Sequence, residues 1–160
     1  MATAPDIPTL YAYESYILPG WVQILSDRGV NAFVEFSDQT KETPYVDVYL
    51  EHTVPSGHQH LALDGRLYWD AWTGWLVHRV YSQRGKNSDQ QATILKAIRG
   101  AAFDFTDLLD DQVLPYHDFM MLKESPHGRG LSQGVDRALN LDWSELPLDM
   151  QFCVRPNAWP

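Results

Sequence analysis

Alternation of apolar and polar residues with a period of two dominates the middle of the chain, and helical spacing brackets it on either side. The stretch from Arg66 to Arg84, RLYWDAWTGWLVHRVYSQR, is the most aromatic segment. Leu67, Trp69 and Ala71 alternate with Tyr68, Asp70 and Trp72; after Thr73-Gly74, Trp75, Val77, Arg79 and Tyr81 alternate with Leu76, His78, Val80 and Ser82. Such a period places i, i+2 and i+4 on one side of a sheet, and aromatic and β-branched residues suit that surface. Thr73-Gly74 predicts a tight turn, so the stretch reads as a hairpin with large apolar groups on both faces. A sheet of that kind needs two covers, for which a helix of its own chain and a neighbouring subunit are the candidates.

Before this stretch, Leu10, Tyr13, Ile17, Trp21, Ile24 and Leu25 recur at helical spacing up to Asp27, with Thr9 as a candidate cap and Gly29 as the stop. Pro19-Gly20 interrupts the pattern and predicts a broken helix. Asn31–Phe36 and His58–Leu63 read as short strands, and Tyr45–Val54 as a longer one in which Val46, Val48, Leu50 and Val54 oppose Asp47, Tyr49, Glu51 and Thr53. Asp64-Gly65 predicts a hairpin turn, so residues 31–83 form an antiparallel meander. A second helix is predicted over residues 88–110, with Ser88 and Gln91 as a capping box and a stripe of Ile94, Leu95, Ile98, Ala102, Phe105 and Leu109. It is expected to cover the inner face of the sheet. Tyr116–Lys123 reads as a strand. Val135–Leu141 and Leu148–Val154 read as a last hairpin turning at Asp142–Glu145. The fold class is therefore α+β: a mostly antiparallel sheet with helices packed on one face, one N-terminal and one central. Residues 1–160 form one domain, with 1–8 an extended arm and 156–160 a loose tail.

Composition narrows the classes. A single cysteine, Cys153, excludes an internal disulfide and a multi-cysteine zinc site. No run reaches the ~20 apolar residues of a membrane span, and the N-terminus has no signal-peptide core. A net charge of −9 argues against a general nucleic-acid binder, yet suits a surface past which DNA must slide without sticking. The chain contains no P-loop, dinucleotide fingerprint or nucleophile elbow. His58 and His60, with His52 or His78 as a third ligand, form a metal pattern whose spacing fixes no third partner, so no metal site is assigned. Asp104, Asp110 and Asp111 read as a solvated helix end. The chain is expected to be neither an enzyme nor a cofactor binder. The rival class is a small enzyme or ligand-binding domain with a pocket beside Trp69, Trp72 and Trp75, anchored by His78 or Arg79.

The order of elements resembles the tail terminator (neck, or tail-completion) proteins of long-tailed bacteriophages. The resemblance rests on the N-terminal helix ending near Gly29, on TPYVDVYLEH, on WDAWTGWLVHRVYSQRGKNSDQQ, on LPYHDFMML, and on the closing LNLDWSELPLDMQFCV. It implies a subunit of a hexameric ring in the virion neck, assembled in the host cytoplasm. The ring would sit on the last tail-tube ring, end tube growth, present a docking surface to the capsid connector or stopper, and let viral DNA pass through its lumen. A head-completion stopper or tail-tube subunit is the neighbouring alternative. On this reading Tyr68, Trp72, Trp75 and Arg79 are the candidate subunit-interface residues.

Overall fold

The structure, a computed structural model, describes residues 10–35, 40–55, 69–104, 117–124 and 131–154. The predicted arm at 1–8, the Thr9 cap, the strand at His58–Leu63, the Asp64-Gly65 turn and the tail at 156–160 lie outside these residues. Two helices, α1 (Leu10–Asp27) and α2 (Asn87–Phe103), accompany six strands: β1 (Ala32–Val34), β2 (Tyr45–Pro55), β3 (Trp69–Gln83), β4 (His117–Glu124), β5 (Ser132–Asp136) and β6 (Leu141–Val154). All six strands belong to one sheet of order β1-β2-β3-β6-β4, with β5 also paired to β6. The architecture is α+β, mostly antiparallel, with both helices on one face.

Four expectations about α1 and the strands are corrected. First, Thr73-Gly74 is not a turn. β3 runs straight through it, flanked by β2 and β6, with Thr73 opposite both Val54 and Gln151. A strand hydrogen-bonded on both sides gains more from an unbroken ladder than a Thr-Gly turn, a weak hairpin signal, can offer. Second, α1 is continuous through Pro19. The proline is exposed while Ile17, Leu18, Trp21, Ile24 and Leu25 are buried. Burial of that stripe offsets the ~3 kcal/mol cost of an internal proline. Third, β1 pairs with β2 in parallel, so residues 31–83 are not a purely antiparallel meander. Fourth, the last hairpin turns at residues 137–140, where Asn140 has a φ of 54°, and Asp142–Glu145 lie within β6. Asp136 Oδ1 accepts the Leu139 amide and nucleates that turn.

The end of α1 follows expectation. Gly29 has a φ of 80°; its amide reaches Ser26 O at 3.0 Å, and Val30 N reaches Leu25 O at 3.0 Å. This pair of bonds is the Schellman arrangement that a left-handed glycine permits. α2 stops at Phe103 rather than 110, and residues 105–116 are not among those described. Its start is not a capping box: the cap residue is Lys86, which makes no side-chain cap bond. Gln91 instead turns inward, donates to Ser82 Oγ at 2.9 Å and accepts from Ser144 Oγ. A buried amide satisfied from two strands ties α2 to the sheet.

The core lies between the helices and the even-numbered side of β3 and β6. Val46, Val48, Leu76, Val80, Leu146, Leu148 and Met150 meet Ile17, Trp21, Leu25, Ile94 and Ile98. At its centre, fully buried, Trp21 Nε1 donates to His78 Nε2 at 2.6 Å, while His78 Nδ1 lies 3.1 Å from Leu146 O. The tryptophan can only donate, so Nε2 accepts and Nδ1 carries the proton. Burial pushes the His78 pKa down to about 4, against a smaller upward pull from the Leu146 carbonyl. The unfolded chain, titrating near 6.5, then takes up a proton that the folded chain refuses. Stability from this residue is complete above pH 6.5 and is lost as pH falls towards 4, by roughly 3 kcal/mol over that window. Urea melts at pH 7.5 and 4.5 should show the loss, and His78→Gln should flatten it; equal slopes in the two proteins would refute the assignment.

Candidate functional site

The odd-numbered side of β3 faces away from both helices. Strand register aligns its residues in rows across the sheet. Tyr45, Tyr81, Trp143 and Gly134 form one row; Asp47, Arg79, Glu145 and Ser132 form the next. Tyr49, Val77 and Pro147 follow, then Glu51, Trp75, Asp149 and Lys123.

Glu145 is the electrostatic centre of this outer face and only 1% exposed. Its Oε2 accepts from Tyr49 Oη at 2.8 Å, from Arg79 Nε at 2.9 Å and from Arg79 Nη2 at 2.6 Å. The Arg79 guanidinium lies 5.7 Å from the Tyr49 ring and 5.4 Å from the Trp143 ring, a cation held between two aromatic faces. Burial opposes its charge, but the Glu145 hydrogen bond prevails and drives its pKa above the ordinary value. Burial, and then the bond to Glu145, raises Tyr49, which keeps the phenol protonated as a donor. Beside this cluster Lys41 Nζ pairs with Asp47 at 2.7 Å and lies 5.5 Å from the Phe33 and Tyr45 rings. Tyr45 stacks on Tyr81 with centroids 4.9 Å apart, and burial lifts the Tyr45 pKa to about 12. Glu35 is raised too, by burial first; Arg79 pulls the other way, and the Asp47 and Glu145 charges push it further up. Along the sheet, Trp75 Nε1 donates to Asp149 Oδ1 at 3.0 Å.

The result is a surface on which Tyr49, Trp75 and Trp143 are half-buried and Tyr45 and Tyr81 are buried, among paired charges. Arg, Tyr and Trp are the residues that carry most of the energy at protein interfaces.

Of the predicted interface residues, Trp75 and Arg79 stand on this face, two rows apart. Trp72 sits in β3 opposite Pro55 and Phe152, with its side chain outside the described residues, and Tyr68 is wholly outside them. Tyr49 and Glu145 were missed as members of the site. The Tyr45–Glu51 alternation does place Tyr49 opposite the core, but Glu145 was hidden by reading Asp142–Glu145 as a turn. His78 cannot anchor a pocket beside Trp75: it points into the core, and both ring nitrogens are engaged. The same contacts remove it as a third metal ligand. Among the described residues no group of three or more metal-ligating side chains occurs; His58 and His60 lie outside them. Asp104 is exposed and pairs with Arg28 at 3.6 Å. Among the described residues no helix is long and apolar enough to cross a membrane.

Gly134 shows how tightly the face is built. A Cβ there would lie 2.6 Å from Trp143 Cζ2 and 2.8 Å from Cε2. Gly134→Ala should cost about 1–3 kcal/mol through overpacking and shift the indole off Arg79. Urea denaturation of the variant checks this; unchanged stability would mean that Trp143 is free to move.

Comparison with protein-family models and with curated proteins returns no match.

Proposed function

We propose that this chain is a structural virion protein. It forms a ring at the head–tail junction of a long-tailed bacteriophage, ends tail-tube growth and joins the tail to the capsid connector. The observation that carries the reading is the outer face of the sheet. Neither helix covers it, and it presents Trp75, Tyr49, Arg79 and Trp143 only partly buried in a pre-organised frame. Pre-organised aromatic and arginine side chains lose little freedom on binding, which favours a repeated protein contact. The order of sequence segments supports the phage setting and a hexameric ring whose partners are the tail-tube protein and the connector or stopper. The net charge of −9 suits a lumen through which DNA moves unbound.

The experiment is an assembly reaction of phage tails and filled heads with and without the protein. With it, tube growth should stop at a fixed length and tails should join heads. Without it, tubes should overgrow and heads stay tailless. Identical particles in the two reactions would overturn the reading.

A further inference from the structure

We draw no further inference here: the strongest candidate, the shallow apolar groove at the end of α2 where exposed Phe103 stands beside Ala102, Leu122 and Leu148, carries nothing, because Arg99 and Glu124 on its rim pair with each other and nothing in the structure shows what covers it.

Discussion

Trp21→Ala should lower the unfolding free energy by about 3–5 kcal/mol, the largest loss expected from one substitution in this chain. Trp21 is fully buried at the meeting point of α1, β2 and β3, so its removal leaves a cavity that the rigid sheet cannot fill. It also removes the donor to His78 Nε2. A buried acceptor without its donor costs the desolvation of that group as well. Trp21→Phe separates the two contributions: it keeps most of the volume, loses the indole N–H, and should cost about 1–2 kcal/mol more than volume alone. Water entering the alanine cavity should let His78 hold a proton at higher pH, moving its titration up from about 4 towards the ordinary histidine value. Urea denaturation and imidazole NMR titration check both effects. A loss below 1 kcal/mol, with His78 titrating as in the wild type, would show that Trp21 does not hold the core.

The second large effect is expected at Arg79. Arg79→Met removes the counter-charge of the buried Glu145 carboxylate and two of the hydrogen bonds that its Oε2 accepts, while the bond from Tyr49 stays. Breaking a buried ion pair from one side typically costs 3–5 kcal/mol, because the remaining charge loses its counter-charge. The Arg79 side chain is one-third exposed, so water offsets part of this and the lower end, about 3 kcal/mol, is expected. Adding Glu145→Gln to Arg79→Met should recover at least half the loss, since a neutral amide needs no counter-charge. A double variant no more stable than Arg79→Met would mean that the arginine acts through packing against Tyr49 and Trp143, not through its charge.

How far the residues announced this structure depends on which contacts decide each element. Both helices were legible, because their stripes bury into one core: Ile17, Trp21 and Leu25 in α1, Ile94 and Ile98 in α2. The Tyr45–Glu51 alternation was legible for the same reason, with Val46 and Val48 buried and Asp47 and Tyr49 opposite. What failed were local turn and cap signals that long-range pairing overrides. Thr73-Gly74 is held extended by a neighbour on each side. Asp142–Glu145 contains turn-forming residue types, yet β3 and β5 pair with it from both sides. Ser88 and Gln91 have capping spacing, but two buried serines compete for the glutamine. The candidate site was half legible. Trp75 and Arg79 could be placed from β3 alone. Glu145 lies 66 residues from Arg79, and no spacing rule connects them.

The central claim is that the outer sheet face is covered by another subunit in the working assembly. Hydroxyl-radical footprinting of the purified chain, comparing dilute with concentrated protein, measures this at the side chains themselves. Trp75, Tyr49 and Trp143 should become at least several-fold less reactive as the protein assembles, while exposed Leu139 on the β5–β6 turn keeps its reactivity. Equal reactivity of the three aromatic residues at both concentrations, in protein that has assembled, would contradict the account.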